Sequence, residues 1–461
     1  MSWSLLLSAM LPENLLLAGI VVLLALAITG RESNGALAVS LLSTGAATLA
    51  ALAGFVAGGG ASPFPAHLGL DAGAMAAKAV MLALTLPILM FSRDDFRDGR
   101  FHVLLLTSLY GACLLVSSES FLTLFLGLEL MSLPVYVLVL LAFRRSESAE
   151  AALKYLVLGG TASATLLMGA SLLYGTGGSL ALSAFAQALG NDSGIGRMGV
   201  VLVIVAFFLK AAVVPFHTWA PDAYEAASVP VTAYMATIVK AGVLLAAVRL
   251  FGSADAARPI ADLIAILPLV SIVWGNLTAM RQASFRRMIA YSSIAHAGYL
   301  FYAFLGDAPG RFQAVLFYVL AYGLMNVLAF AALPADADDH ARDRLEGLKG
   351  LFHRQPFAAL MIGGAMLSLA GLPPFPGFVA KFLIFRNVMA AGYTAYAVLG
   401  LVGSYLGLYF YLRVVQYLFM TPGAETANAV VVRRAAWGAS VLCLVPVLLL
   451  IVFPGAVISR F

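Results

Sequence analysis

Apolar residues run along this chain in long segments that are separated by short polar loops. A helix that crosses a bilayer needs about 20 mostly apolar residues, and fourteen segments approach or exceed that length. The pattern therefore predicts an all-α integral membrane protein. The candidate spans are residues 13–30, 36–59, 72–92, 101–118, 120–143, 151–174, 199–220, 228–251, 259–280, 286–306, 311–333, 356–390, 393–420 and 434–456.

Two of these predicted spans contain prolines that should interrupt the helix. The seventh contains Pro215 and runs into Pro221, and the twelfth contains the proline-rich run from Gly371 to Gly377. Proline removes a backbone donor and clashes with the preceding turn, so the freed carbonyls need partners in the protein or in water. Broken helices often mark the ion site of a transporter. A simple kink packed against neighbouring helices is the alternative for Pro215.

The two interruptions also suggest an internal repeat. Spans four to eight and nine to thirteen are each five helices long, and each set has a broken fourth helix with a lysine near the break, Lys210 or Lys381. An odd number of helices places the two sets in opposite orientations, which predicts inverted repeats. The expected divisions are an N-terminal segment at 1–100, repeats at 101–251 and 252–420, and a last span at 421–461.

Basic residues in the loops predict the orientation, because cytoplasmic loops are enriched in Lys and Arg. The richer set of alternate loops should face the cytoplasm, which places both termini on the opposite, periplasmic side. The richer set contains Arg31, Arg93, Arg97, Arg100, Arg144, Arg145, Arg281, Arg286, Arg287, Arg342, Arg344, Lys349, Arg354, Arg433 and Arg434. The poorer set contains Arg197, Arg249, Arg258 and Arg311, with Arg460 at the C-terminus.

Composition agrees with a membrane protein and excludes several other classes. Hydrophobic residues make up 62% of the 461 residues and charged residues 11%, whereas soluble domains have about 25% charged residues. The net charge of +5 does not indicate nucleic-acid binding, since the basic residues lie in short loops. Cys113 and Cys443 lie in separate apolar runs, which argues against a zinc or iron–sulfur site. No Gly-rich dinucleotide motif follows a strand.

The lysines are the most informative residues, because nearly all of them fall inside predicted spans while most arginines fall in loops. A charge at the centre of a membrane helix costs about 2.5–3.5 kcal/mol. Lysine can release a proton when buried, whereas arginine stays protonated. Glu129 lies in the middle of the fifth span and should pair across helices, with Lys210 as the expected partner. The lysines inside spans are Lys78, Lys154, Lys210, Lys240 and Lys381, and only Lys349 is in a loop.

Several further residues have both a structural and a functional interpretation. Lys78 and Lys154 could instead extend to an interface along their apolar stems. His217 and His296 titrate near neutral pH, so each is either a packed, hydrogen-bonded residue or a relay member. Asp222 and Glu225 follow the seventh span, and we expect them to cap the eighth helix. Polar residues of the tenth span could hold water or join helices: Tyr291, Ser292, Ser293 and Tyr299.

Four stretches carry a resemblance to a known family. The chain resembles the antiporter-like membrane subunits of respiratory complex I, a family shared with Mrp-type sodium/proton antiporters. Two further stretches, Ala149–Tyr155 and Leu345–Gly350, favour the subunit N branch of that family. The four stretches are Leu122–Pro134, Lys210–Glu225, Arg286–Tyr299 and Leu369–Phe382.

The resemblance implies fourteen helices with two inverted five-helix repeats and proton transfer along a central polar axis. By matching motif, Glu129 is the carboxylate of the fifth helix and Lys210 its partner. Lys240 lies on the central axis, Lys381 is the terminal lysine of the twelfth helix, and Lys154 is a modulator. His296 and His217 are the added relay candidates, and Lys78 matches no motif.

The function implied is that of a proton-translocating subunit of NADH:quinone oxidoreductase in a bacterial inner membrane. The chain itself is expected to bind no NADH, flavin, metal or iron–sulfur cluster. Partner subunits would carry the redox groups, with quinone as the substrate of the complex. Two alternatives stay open: a cation/proton antiporter subunit of the Mrp type, and a structural membrane anchor with vestigial charges.

Overall fold

In the computed structural model, each long apolar segment forms one or more helices. The reason is that a backbone surrounded by lipid must satisfy its own N–H and C=O groups. Twelve helices of the described residues are long and apolar enough to cross a membrane, and none of these residues forms a β-strand. The chain is a multi-pass membrane protein. The structure describes residues 3–29, 32–60, 62–96, 99–142, 146–190, 193–252, 260–306, 308–334, 343–422 and 434–460.

Several loop residues used to predict the orientation lie outside the described residues, namely Arg31, Arg97, Arg144, Arg145, Arg258, Arg342 and Arg433, as does His340. Two others in that count are buried rather than loop-exposed. Arg286 forms an ion pair with Asp343 at 3.1 Å, and Arg311 donates to the carbonyl of Gly306 at 2.9 Å. These two guanidinium groups hold helix ends in place.

The N-terminal part of the chain contains five helices. The N-cap of the fourth helix is Asp71, whose carboxylate accepts a hydrogen bond from the N–H of Ala74 at 2.8 Å. The helices are α1 (Trp3–Ala9), α2 (Leu11–Ile28), α3 (Glu32–Val56), α4 (Ala72–Phe91) and α5 (Gly99–Leu115), with a 3₁₀ turn at Ser92–Asp94.

The next part begins with a capping box, in which Ser120 and Thr123 satisfy each other's backbone N–H groups. A π-helical turn at Met235–Val239 joins two helices into one continuous rod. The helices are α6 (Phe121–Leu140), α7 (Ser146–Gly177), α8 (Ser183–Gly190), α9 (Gly194–Ala211), α10 (Trp219–Ala226), α11 (Val229–Tyr234) and α12 (Lys240–Phe251).

The described residues of the C-terminal part form nine further helices and two short 3₁₀ segments, Ala303–Leu305 and Leu345–Leu348. The helices are α13 (Ala261–Ala279), α14 (Phe285–Tyr302), α15 (Ala308–Ala331), α16 (Leu351–Arg354), α17 (Pro356–Ala370), α18 (Pro376–Ala390), α19 (Thr394–Phe419), α20 (Arg434–Val452) and α21 (Pro454–Ile458).

Helices end on both sides of the two proline-containing stretches. Between α9 and α10 the chain passes through Ala212, which has a left-handed φ of 61°, and Pro215. Between α17 and α18 it passes through Gly371, at φ 85°. Each interruption leaves backbone carbonyls that need partners.

Four helices at the centre of the bundle are enclosed by protein. The buried share of residues is 100% in the rod formed by α11 and α12 and 94% in both α14 and α15, but 28% in α2. Side chains on the central helices therefore meet other protein groups rather than lipid. Exposed leucines and valines cover the outer helices, as expected for a lipid-facing surface.

Candidate functional site

An acid and a base meet between α6 and α9. Lys210 Nζ donates to Glu129 Oε1 at 3.3 Å; the side chain of Lys210 is 6% exposed and that of Glu129 is 21% exposed. The hydroxyl of Ser163 on α7 also donates to this carboxylate. The amine lies 3.4 Å from Ser132 Oγ and 3.5 Å from the Tyr136 hydroxyl. The predicted partnership across helices therefore exists, and three hydroxyl groups surround it.

The end of α9 fixes the position of Lys210. The indole N–H of Trp219 donates to the Leu209 carbonyl at 3.0 Å, which satisfies a group freed by the end of the helix. The N–H of Val214 donates to Ser271 Oγ on α13 at 2.7 Å. Protein side chains thus complete the backbone hydrogen bonding, so the interruption is stable beside Lys210.

Lys240 begins α12 directly after the π-helical turn, and its amine points towards α14. It donates to both the hydroxyl and the backbone carbonyl of Ser293. The Ser293 hydroxyl in turn lies 3.3 Å from the Tyr224 hydroxyl. Within the described part of the chain, no carboxylate forms an ion pair with Lys240. Its ammonium form is therefore held by neutral acceptors alone.

Tyrosines fill the space between Lys210 and Lys240. Tyr136 contacts Lys210, and its ring meets that of Tyr155 edge-on at 4.5 Å. Tyr224 is hydrogen-bonded to Ser293, the serine that binds Lys240. The sequence analysis missed this cluster, because its members lie far apart along the chain and each looks like an ordinary aromatic core residue.

His296 lies between two tyrosines at the centre of α14. Its Nδ1 is 2.8 Å from the Tyr318 hydroxyl and its Nε2 is 3.1 Å from the Tyr411 hydroxyl. A neutral imidazole donates through one nitrogen and accepts through the other, so the ring connects α15 with α19. Tyr411 also lies 2.5 Å from Ser292 Oγ.

Lys381 satisfies the carbonyls that are freed where α17 ends. Its amine donates to the carbonyls of Leu369 and Ala370, each at 3.0 Å, and to Ser404 Oγ at 3.1 Å. It also lies 5.0 Å from the centre of the Tyr299 ring. The ring of Tyr299 is in edge contact with His296 at 5.5 Å. The ring of Tyr299 therefore contacts both Lys381 and His296.

One helix connects these groups. Ser292, His296 and Tyr299 are spaced by four and three residues on α14, which places them along one helix face. Ser293 lies at the same level and holds Lys240. We call Glu129, Lys210, Lys240, His296 and Lys381, with the serines and tyrosines between them, the buried row.

The comparisons with known proteins agree with this arrangement. Residues 118–407 match the family model described as NADH:quinone oxidoreductase/Mrp antiporter, transmembrane. A relative from Pelobacter propionicus, named NADH-quinone oxidoreductase subunit N, is 37% identical over 456 residues, which cover 98% of this chain and 97% of the relative. The chain belongs to the NADH:quinone oxidoreductase/Mrp antiporter family.

Other members of the family are similar over nearly the same length. A protein of Trichlorobacter lovleyi with the same name is 36% identical over 91% of this chain and 88% of its own. A chain of respiratory complex I from Thermus thermophilus superposes with a TM-score of 0.86 at 34% identity, covering 97% of this chain and 98% of its own.

A chain of the Mrp complex from Dietzia shares the fold of this family at a TM-score of 0.84 and 22% identity, covering 98% of this chain and 96% of its own. This likeness concerns the fold alone. The alternative of an Mrp-type subunit is therefore less well supported than membership of the complex I branch.

Lys154 lies within the matched family range but outside the buried row. Its side chain is 46% exposed and forms ion pairs with Glu150 at 2.7 Å and Asp222 at 2.8 Å. Arg287 of α14 also binds Asp222, at 3.0 Å, and Glu225, at 2.8 Å. These groups border a polar pocket of about 480 Å³ between α7, α10 and α14.

The prediction that Asp222 and Glu225 cap the next helix was wrong. Ser228 occupies the N-cap position of α11, and the two carboxylates bind Lys154 and Arg287 instead. Burial opposes ionisation of Asp222, but hydrogen bonds from Lys154 and Arg287 outweigh it and hold the pKa of this carboxyl below its ordinary value. Opposite charges supplied by distant parts of the chain thus override a local capping preference.

His217 does not reach the buried row. Its Nδ1 lies 3.3 Å from the Pro215 carbonyl, and its Nε2 accepts a hydrogen bond from the indole N–H of Trp274 at 3.2 Å. Trp274 is itself half exposed on the outside of α13. Of the two candidate histidines, His296 therefore belongs to the buried row, whereas His217 lies apart from it.

Lys78 lies outside the range matched by the family model and is not at an interface. The prediction that it could extend to the membrane surface was wrong, because its side chain is completely buried in an ion pair with Glu13 at 2.6 Å. Glu13 was missed, since an acidic residue at the start of the first span looks like an ordinary helix N-terminus. The signal available in the sequence was a pair of opposite charges, Glu13 in the first apolar span and Lys78 in the third.

Proposed function

We propose that the buried row carries protons through the interior of this chain. The chain is a proton-translocating membrane subunit of an NADH-quinone oxidoreductase and works among the other subunits of that complex. One observation supports the proposal most strongly. Lys210, Lys240 and Lys381 direct their amines at hydroxyl and carbonyl groups of the protein, and none of them extends to the lipid face.

The Glu129–Lys210 ion pair at one end of the row controls the proton affinity of Lys210. Two unit charges 4 Å apart attract each other by about 4 kcal/mol at an effective dielectric constant near 20. Separating Glu129 from Lys210 therefore changes the proton affinity of the amine by roughly a thousandfold, at about 1.4 kcal/mol per factor of ten. Movement of the carboxylate away from the amine therefore favours release of the Lys210 proton.

The next transfers use neutral groups. A proton leaving Lys210 passes through the hydroxyls of the tyrosine cluster to Ser293 and Lys240, where one N–H or O–H bond breaks as the next forms. His296 accepts at one ring nitrogen and donates from the other, which suits it to connect Lys240 with Lys381. In this scheme Lys154 and Asp222 border the loop-side pocket and modulate the charge near Glu129. His217 lies outside the proton path.

The topology proposed for this path has fourteen crossings. Repeats at 101–251 and 252–420 would run in opposite directions, with the segment 1–100 and the span 421–461 outside them. The two helix interruptions, one beside Lys210 and one at the carbonyls bound by Lys381, support this arrangement. We place the chain in a bacterial inner membrane with both termini on the periplasmic side, on the basis of the basic loops.

The redox groups belong to partner subunits in this proposal. Flavin, iron–sulfur clusters and the quinone substrate would be bound outside this chain, and quinone reduction would reach the buried row as a change in charge or conformation at a subunit contact. Coupling of this kind requires two states of the protein, and the quinone site and the buried row must each favour one state over the other. The Glu129–Lys210 pair is the element of this chain with two obvious states, closed and separated.

The decisive experiment measures protons moved per NADH oxidised in proteoliposomes that contain the whole complex. We expect Glu129→Gln and Lys210→Ala to assemble, oxidise NADH and move fewer protons per electron pair. Lys349→Ala, which removes a loop lysine paired with Glu346 at 3.4 Å, is the matched control and should pump normally. Unchanged proton ratios in Lys210→Ala, Lys240→Ala and Lys381→Ala would support a structural anchor instead.

A further inference from the structure

A second buried ion pair joins the N-terminal helices. Glu13 lies in the first turn of α2, and Lys78 lies about two turns into α4. The carboxylate oxygen and the amine are 2.6 Å apart, and both side chains are completely buried. Both residues lie before residue 118, where the family match begins. The function of the buried row does not account for this pair.

The pair is incompletely satisfied by its surroundings. Within the described ranges, neither Glu13 oxygen nor the Lys78 nitrogen has a hydrogen-bond partner of normal geometry. An ammonium group has three donors, and a buried ion pair contributes little stability unless further hydrogen bonds support it. Stability is therefore a weak explanation for the pair. A proton shared between the two groups lowers the electrostatic cost, because amine and carboxyl can both be neutral.

A cavity lies beside α4 near the membrane face where α2 and α4 begin; most of its lining is apolar, and Asp71 and Arg249 are its charged residues. Its volume is about 240 Å³, and Asp71, Ala74 and Ala77 line it along α4, facing Arg249 at the end of α12. Ala74 lies four residues before Lys78, so the cavity adjoins the face of α4 that carries the lysine. At about 30 Å³ per water molecule, several water molecules fit in it.

Charged groups stand at the mouth of this cavity. Arg249 forms an ion pair with Asp71 at 2.8 Å and also binds Glu119. Burial opposes ionisation of Asp71, but Arg249, the Ala74 amide and Lys78 together hold the pKa of this carboxyl below its ordinary value. The charge of Lys78 is thus felt at the membrane face.

Polar groups also lead from α5 towards the buried row. Ser108 lies on α5 and donates to the Met131 carbonyl at 2.7 Å. It accepts a hydrogen bond from the Tyr234 hydroxyl at 3.0 Å. Met131 is two residues from Glu129 on α6. These hydrogen bonds join α5, which packs against α2, to α11 and to α6, the helix that carries Glu129.

We propose that Glu13 and Lys78 form a further proton-exchange site that passes protons between the protein interior and the membrane face at Asp71 and Arg249. The proton leaves Lys78 Nζ as an N–H bond breaks and an O–H bond forms on Glu13, which leaves both groups neutral. The carboxyl then releases the proton into the cavity, and the amine takes one from the interior. No electron moves, so no oxidant is needed. The inference rests on the proposed proton translocation.

Lys78→Arg in the whole complex separates this function from a structural role. Arginine keeps the charge and the ion pair but does not give up its proton. We expect the variant to assemble and oxidise NADH, while the number of protons moved per NADH falls below that of the unmodified complex. An unchanged ratio would show that the pair is structural and would overturn the proposal.

A double variant, Glu13→Leu with Lys78→Met, covers the case in which arginine prevents assembly. It removes both charges together, which buried pairs tolerate better than loss of one partner. A lowered proton ratio supports the proposal, and an unchanged ratio overturns it. Isotope-edited infrared spectroscopy should also detect a protonation change of a carboxyl during turnover that disappears in Glu13→Gln.

Lys210→Ala is measured in parallel, so that a failure of the N-terminal site can be distinguished from a failure of the buried row. If Lys210→Ala lowers the ratio and Lys78→Arg does not, only the N-terminal site is refuted. If both variants pump normally, proton transfer through the buried row is refuted as well.

Discussion

The amine of Lys240 contacts both the hydroxyl and the backbone carbonyl of one residue, Ser293. This contact joins the central rod of α11 and α12 to α14, which carries Ser292, His296 and Tyr299 of the buried row. It also explains how a lysine without a described carboxylate partner is tolerated there. Hydrogen bonds to a charged group contribute about 1.5–3 kcal/mol each, and two acceptors offset part of the cost of burial.

Ser293→Ala should slow proton transfer through Lys240. The change removes one acceptor of the amine and the partner of the Tyr224 hydroxyl while the carbonyl contact remains. With one such bond lost, we expect roughly a tenfold slower transfer, measured as the initial rate of proton uptake by proteoliposomes. Ser440→Ala removes a buried hydroxyl of α20 that bonds only within its helix, and it should not change the rate.

Gly159→Ala tests whether the hydroxyl of Tyr136 matters to Lys210. A methyl group at Gly159 would lie 1.9 Å from this hydroxyl, so the ring must turn away from the amine. We expect fewer protons moved per NADH without loss of any charged group. Gly160→Ala is the control, since a methyl group there meets nothing within 4 Å. Equal pumping by the two variants would exclude Tyr136 from the path.

Gly371→Ala should disturb the acceptors of Lys381. Gly371 has φ 85°, and an added methyl group would lie 3.0 Å from Lys381 Cδ and 3.2 Å from its Nζ. A left-handed alanine costs roughly 1 kcal/mol, so thermal stability and the proton ratio should both fall. Gly364→Ala, in α17 with open space around it, should instead keep the ratio and preserve or raise stability.

Asp222→Asn should weaken the junction of α7, α10 and α14. The carboxylate holds Lys154 and Arg287, and Lys154 is well exposed to solvent, so we expect a loss of only about 1 kcal/mol in stability. Because the pKa of Asp222 lies below its ordinary value of 3.8, its contribution is complete above that pH and is lost as the pH falls further.

Thermal denaturation of the purified complex at pH 7 and at successively lower pH measures this effect. The midpoint of the variant should lie below that of the unmodified complex at pH 7, and the difference should shrink only below pH 3.8. A difference that disappears at a clearly higher pH would show that Asp222 is not held ionised by its two partners.

The sequence by itself determined the helices and the main charged pair. Long apolar segments can be satisfied in lipid only as helices, so the all-helical membrane fold follows from the pattern of apolar segments, and twelve helices of the described residues are long and apolar enough to cross a membrane. Glu129 and Lys210 were predicted as partners because each is isolated in its own span, and their contact at 3.3 Å confirms that prediction. The lysines in the middle of spans could also be identified from the sequence as candidate functional residues, because a charged residue in an apolar segment is costly.

The tertiary structure alone decided which groups stand next to each other. It separated His217 from His296, assigned Asp222 to Lys154 and Arg287, and joined Glu13 to Lys78, although 64 residues lie between the last two. The sequence could not show these contacts, because local preferences describe one helix at a time. Which face of a helix meets which neighbour depends on packing between helices far apart in the chain, and in this protein that packing joins the charges.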